Sequence, residues 1–306
     1  MVDWKRRILP WLILPRFNFI FLAWINVSLG TAVAWYNGYF HLTHYILALL
    51  GGTLAHMSVN IINDYYDYLS GIDLSTRRTP FSGGSGVLPA GLVSPRGALY
   101  YALASLGMGG IIGVYFLVKV GWNLLPILIF GGFSIYFYNT FLVRLLIGEF
   151  VVGLNFGPLM ILGSYFVQTG YYSLEAFITS LAPGILTLNL LLLNEFPDVE
   201  ADKEAGRHHL VTYLSRARAV KLFVFILFVS YGCIVFGVMG GFMPPFTLIS
   251  LSTIFLGIKV IRGALKSYYD TEMLIPVMGK NVIVVLSTQG LIALGYALAR
   301  LTRGSF

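Results

Sequence analysis

Charge is what this sequence has least of. Only 11% of its 306 residues are Asp, Glu, Lys or Arg, whereas a soluble domain carries about 25%, so the composition argues against a water-soluble globule. Cysteine is nearly missing too: the single Cys233 cannot form an internal disulfide and, lying in an apolar run, reads as a packing residue. That excludes a cysteine-stapled secreted scaffold, and no Cys and His set offers a zinc site. The glycine-rich stretch 83–86 lacks a Gly-Lys-Ser/Thr ending, which excludes a Walker phosphate loop. What is abundant is apolar surface. Hydrophobic residues make up 57% of the chain, mean hydropathy is +0.80, and 34 glycines accompany 42 Phe and Tyr, a composition suited to helices packed in lipid.

Roughly 20 apolar residues cross a bilayer as a helix, because lipid offers backbone polar groups no partner. Nine stretches qualify: 17–36, 45–62, 98–118, 124–141, 150–167, 176–194, 220–238, 245–261 and 277–299. The expected fold is an all-α polytopic membrane protein, a bundle of nine transmembrane helices forming a single domain over 1–306. The first stretch lacks a small-residue cleavage site and is followed by further spans, so it reads as an anchor. With the N-terminus placed in the cytosol, 17 of the 20 Lys and Arg residues fall on that side and only Lys119, Arg300 and Arg303 fall opposite, as the positive-inside rule requires. The net charge of +7 is therefore a topology signal, and no nucleic acid partner is expected. A cell membrane of bacterial or archaeal type is the natural home.

The acidic residues are less easily dismissed. Most of the 13 concentrate in two segments on the expected cytosolic side, within loops of about 63–97 and 195–219. The second stretch runs into Asn63-Asp64-Tyr65-Tyr66-Asp67-Tyr68-Leu69-Ser70-Gly71-Ile72-Asp73. The sixth runs into Asn194-Glu195-Phe196-Pro197-Asp198-Val199-Glu200-Ala201-Asp202-Lys203. Both begin with Asn, place Asp four residues later, then add another Asp. Residues four apart share a helix face, so Asn63 lies above Asp67, and Asn194, Asp198 and Asp202 form one stripe that leaves Glu200 pointing elsewhere. Gly71 can break the first helix and swing Asp73 back, while Pro197 predicts a kink at the start of the second stripe.

Carboxylates converging at a membrane face repel unless a cation neutralises them. Oxygen-only donors suit Mg²⁺, which keeps one or two carboxylates and takes its other ligands from substrate phosphates. Two such sites facing each other make a clamp for a diphosphate. The following segment, Arg77-Arg78-Thr79-Pro80-Phe81-Ser82-Gly83-Gly84-Ser85-Gly86, adds guanidinium forks and close-approach glycines. Arg78, Lys203 and Arg16 are candidates for the diphosphate, and Tyr138, near the end of the fourth stretch, for an acceptor. His208 and His209 read as a solvated loop pair, and His56 as a neutral histidine between helices. A diphosphate clamp embedded in lipid points to a polyprenyl diphosphate, whose ionised allylic carbon must be sheltered from water.

The pair NDYYDYLSGID and NEFPDVEAD resembles the two aspartate-rich motifs of the UbiA superfamily of intramembrane prenyltransferases. The gap between Asp67 and Asp73, the segment GEFVVGLNFGPLMILGSYFVQTG and Arg78-Thr79-Pro80 are similar to its menaquinone branch, and the Tyr-x-x-x-Lys element of the 4-hydroxybenzoate branch is missing, since Leu142 follows Tyr138. The resemblance implies that Asp67, Asp73, Asp198 and Asp202 hold Mg²⁺, with Asp67 and Asp198 central to catalysis and Asn63 and Asn194 in support. It implies polyprenyl transfer to an aromatic acceptor, 1,4-dihydroxy-2-naphthoate first. Other acceptors (a haem or chlorin precursor, 4-hydroxybenzoate, a glycerol-phosphate lipid) and a cation-coupled transporter are the alternatives.

Overall fold

The computed structural model describes residues 4–75, 78–204 and 206–303; Arg77 lies outside them. Among the described residues there is no strand, and nine helices are long and apolar enough to cross a membrane: α1 (Arg7–Tyr36), α2 (Leu42–Leu69), α3 (Pro95–Lys119), α4 (Trp122–Leu142), α5 (Gly148–Thr169), α6 (Leu174–Asn194), α7 (Arg216–Met239), α8 (Pro245–Ser267) and α9 (Thr271–Arg303). Each expected stretch falls in one of them, and the protein is a multi-pass membrane protein. Where the chain enters a helix from a loop, side chains supply the missing partners. Ser94 accepts the Gly97 N–H at 3.1 Å just before Pro95, and Ser173 accepts the Ala176 N–H at 3.0 Å.

The outer faces carry exposed Ile111, Val118, Phe225 and Phe255, which lipid solvates and water would not. Inside, α6 is the most enclosed of the nine. Small residues let neighbours approach it: a Cβ on Gly157 of α5 would sit 2.7 Å from the Gly184 backbone nitrogen of α6. Buried hydroxyls pair between helices, Thr179 with Tyr296 at 2.6 Å and Thr253 with Thr288 at 2.7 Å.

One boundary differs from the sequence expectation in a way that matters. The second helix does not stop at Ile62 but continues to Leu69, so Asn63, Asp64 and Asp67 ride on the spanning helix itself. Polar side chains end the apolar run there, yet contacts on the inner face keep the helix going. Gly71 then turns the chain at φ +82°, and Asp73 follows on the short helix Ile72–Ser75. After α6 the chain makes a turn through 195–198, including Pro197, before the helix Val199–Glu204 begins. The second stripe is thus kinked, as Pro197 predicts.

Candidate active site

The ends of α2 and α6 face one cavity of about 230 Å³. On α2 its wall is one helical face, His56, Asn60, Asn63 and Asp67, stepping from mid-bundle to the rim. Asp73, Asn194, Asp198, Asp202, Arg16 and Tyr138 line the same space. Of the residues singled out from sequence, eight therefore converge. Two do not: Lys203 is exposed and outside the lining, and Arg78 is exposed, its guanidinium packed against Gly86.

Asp67 is held from two directions. Asn63 Nδ2 donates to its Oδ2 at 2.8 Å, within the helix. Arg207, from the far loop, places Nη1 3.0 Å from Oδ1 and 3.1 Å from Oδ2, and its Nη2 donates to Asn139 Oδ1 at 3.3 Å. The same Nη1 lies 4.0 Å from Asp202 Oδ1, so one guanidinium bridges the two acidic segments. Asp202 in turn meets His209 Nε2 at 3.1 Å, and His209 Nδ1 lies 3.4 Å from Glu195. His209 is therefore buried and ion-paired, which corrects the expectation of a solvated pair; only His208 is exposed. Glu200, off the stripe, is exposed and pairs with Arg216 at 3.3 Å. His56 meets the Phe156 ring edge-on, centroids 4.9 Å apart, and its Nδ1 has no hydrogen-bond partner.

The backbone is bent to bring these groups in. Arg16 adopts φ +56°, ψ +54° at the break in α1, a conformation that non-glycine residues hold only when their surroundings enforce it. Gly84, at φ +68°, lets the 83–86 segment close over Asp73: a Cβ there would stand 2.6 Å from Asp73 Oδ2.

Six carboxylates line the cavity (Asp67, Asp73, Asp198, Asp202, Glu149, Glu195) against two guanidiniums, Arg16 and Arg207, and the imidazoles. The imbalance shows in their protonation. Burial, then the neighbouring Asp67 and Asp64, pushes Asp73 up to about 7. Burial, then Asp202, pushes Asp198 up to about 7, and burial raises Glu195 to about 8. Burial opposes a charge on His209, but its hydrogen bonds to Asp202 and Glu195 outweigh that and push it up to about 9. Burial opposes the Arg207 charge as well, and Asp67 and Asp202 hold it on more firmly still. Buried oxygens of Asp73, Asp198, Asp202 and Asn194 have no hydrogen-bond partner. Unpartnered hard oxygens beside excess negative charge are a donor set that fits Mg²⁺.

Arg207, Glu149, Glu195 and His209 were not legible as site residues in the sequence. Arg207 follows the second motif directly and counts there only as a topology charge; its partner Asp67 is 140 residues away.

The model of the UbiA prenyltransferase family matches residues 23–274 of this chain. A 1,4-dihydroxy-2-naphthoate octaprenyltransferase of Bacillus subtilis is 28% identical over 85% of this chain and 82% of its own length. One of Escherichia coli is 27% identical over 70% of this chain and 71% of its own. Among solved structures, a UbiA homolog from Archaeoglobus fulgidus bound to GPP and Mg²⁺ superposes with a TM-score of 0.62 at 16% identity, covering 92% of this chain and 99% of that one. That likeness is one of fold.

Proposed function

Since the chain belongs to the UbiA prenyltransferase family, we propose that it transfers a polyprenyl group from a polyprenyl diphosphate to an aromatic acceptor, with 1,4-dihydroxy-2-naphthoate the favoured one. The observation that carries this reading is the closing of two acidic segments, four spans apart, around a single cavity with more carboxylates than cations. The naphthoate relatives support the choice of acceptor.

Asp67, Asp73, Asp198 and Asp202 would hold Mg²⁺, with Asn63 and Asn194 orienting them. Bound there, the metal would draw charge from the diphosphate as the allylic C–O bond breaks. Arg207 and Arg16 add positive charge where the leaving group gathers negative charge. Below the rim, Leu22, Val59, Val152, Phe156 and Leu190 keep water from the allylic carbon, and aromatic faces there favour a developing cation. Tyr138, in the cavity wall, stands on the acceptor's side of this arrangement. Lys203 and Arg78, outside the lining, are left without a direct role. The basic-rich ends of the spans support a cell-membrane location with the site at the cytosolic face.

The test is product formation. Protein reconstituted in lipid, given labelled polyprenyl diphosphate and 1,4-dihydroxy-2-naphthoate, should release diphosphate and form the C-prenylated arene, and chelation should abolish both. The same assay with 4-hydroxybenzoate, a haem precursor and a glycerol-phosphate lipid decides the acceptor; preference for any of these overturns the naphthoate assignment. No transfer to any acceptor overturns the reading itself.

A further inference from the structure

Glu149 is a carboxylate of the cavity wall outside the four aspartates proposed to hold Mg²⁺. It lies in the first turn of α5, fully buried, and its Oε1 accepts the Leu210 N–H at 2.7 Å, which fixes the direction of the group. Its other oxygen, Oε2, is buried and meets no donor. The residue lines the cavity together with Tyr138, Val152, Phe156, Leu190 and Leu191. Glu149, Glu195 and His209 each bring one ligand-type atom within 4.8 Å of the others.

A second cation is one reading of that cluster, but His209 faces carboxylates on both sides, with Nε2 3.1 Å from Asp202 and Nδ1 3.4 Å from Glu195. What the corner lacks is a permanent donor. A buried carboxylate oxygen without one is costly; beside Oε2, among the described residues, stands Glu195, which can donate only while its own carboxyl keeps a proton. A hydroxyl entering through the cavity would supply a donor without that proton, and the apolar walls beside Glu149 suit a flat ring carrying one.

We propose that Glu149 binds a phenolic hydroxyl of the aromatic acceptor and takes its proton as the new carbon–carbon bond forms; this rests on the prenyl-transfer reading above. With an ortho-hydroxy aryl acid the step balances. The O–H pair becomes the C=O of a ring ketone, and the ring carbon bearing the carboxylate bonds the allylic carbon, whose C–O pair leaves with diphosphate. The carboxylate, now β to a ketone, departs as CO₂. Its bonding pair restores the aromatic ring, and the oxygen recovers its proton from Glu149. No oxidant or reductant is consumed. Glu195, His209 and Tyr138 are the titratable neighbours that face Glu149.

Glu149→Gln keeps an oxygen for the Leu210 contact and removes the base. Transfer to the hydroxylated acceptor should fall at least about 100-fold, while Mg²⁺-dependent binding of a non-ionising thiolodiphosphate analogue of the donor stays unchanged. On the unaltered enzyme, methylating the acceptor hydroxyl should cause a comparable loss, an arm that needs no variant to fold. Full activity in the Gln variant overturns the proposal, as does ready turnover of the methyl ether by the unaltered enzyme. Loss of analogue binding in the variant also overturns it, since Glu149 would then belong to the donor site. If the unaltered protein itself neither binds the analogue nor transfers a prenyl group, the prenyl-transfer reading has failed instead.

Discussion

Arg207 touches both carboxylate oxygens of Asp67 with a single nitrogen, at 3.0 and 3.1 Å, and so stands where a metal ion would be expected to draw charge. Without a divalent cation it is the guanidinium that neutralises the meeting point of the two acidic segments. Removing it strands buried negative charge. Arg207→Ala should lower the stability of the metal-free protein by about 3 kcal/mol, and added Mg²⁺ should recover more of the melting temperature in the variant than in the unaltered protein. Equal Mg²⁺ responses in thermal melts would show that the two cations do not compete for this place.

The raised carboxyls set a pH dependence with a definite sign. Asp73, facing Asp64, Asp67, Arg16 and Arg207, and Asp198, facing Asp202, Asp67 and Arg207, both bind protons more tightly in the folded state than when unfolded. His209, facing Asp202 and Glu195, does so too. Groups with raised folded values contribute stability that is complete below their unfolded values and is lost as pH rises through the folded ones. The metal-free protein should therefore melt at higher temperature at pH 6 than at pH 8, with a further decline toward pH 9. Mg²⁺ must displace the protons on Asp73 and Asp198, so its half-saturating concentration should fall as pH rises from 6 to 8. Melting scans against pH, with and without Mg²⁺, check both; a stability that rises with pH in the absence of metal contradicts them.

Asp202 and Glu200 are two residues apart and should behave oppositely. Asp202 is buried between His209 and Arg207, whereas the Glu200 side chain is 68% exposed. Asp202→Asn should cost at least about 100-fold in turnover, and Glu200→Gln should leave it nearly unchanged, since exposed ion pairs contribute about 0–1 kcal/mol. Steady-state assays of the two variants side by side decide it. A larger loss from Glu200→Gln would remove the second segment from the site.

The contact between α5 and α6 leaves no room for a methyl group at Gly157. Gly157→Ala should destabilise the bundle by about 1–3 kcal/mol through overpacking, read as a lower melting temperature in detergent. Because the same contact seats α6 beneath Asn194, weaker donor binding should accompany it. A variant with unchanged melting temperature would mean the helices can separate freely there.

The spans were legible because lipid imposes one rule, an apolar run of sufficient length, and nine runs obey it. Where α2 ends was not, since Asn63, Asp64 and Asp67 interrupt hydropathy without interrupting the helix. Asp64 shows the reason: its carboxylate accepts the Ser85 N–H at 2.9 Å, from a loop 21 residues on, and that tertiary bond is invisible to any local window. The acidic residues of the site were legible because spacing by four survives in the fold at Asn63 and Asp67. Arg207, which balances them, was not, nor was Glu149, a further carboxylate of the cavity: they reach their partners across 140 and 61 residues, and although Glu149 lies in the segment similar to the menaquinone branch, nothing local marks either side chain. Lys203, next in sequence to Asp202, shows the converse: adjacency to a motif does not bring a side chain to the cavity.

The two halves of the site are mounted unequally. Asp67 and Asn63 sit on an unbroken helix of 28 residues and can shift only if that whole rod shifts. Asp198 lies in the turn before a helix of six residues, and Asp202 on that helix, between the Pro197 turn and Gly206, moored by side-chain pairs and by Phe196 and Val199 in the core. One half is carried by a single rod and the other by a short, separately seated element, so under the proposed function any widening between the two motifs would fall on the segment after α6.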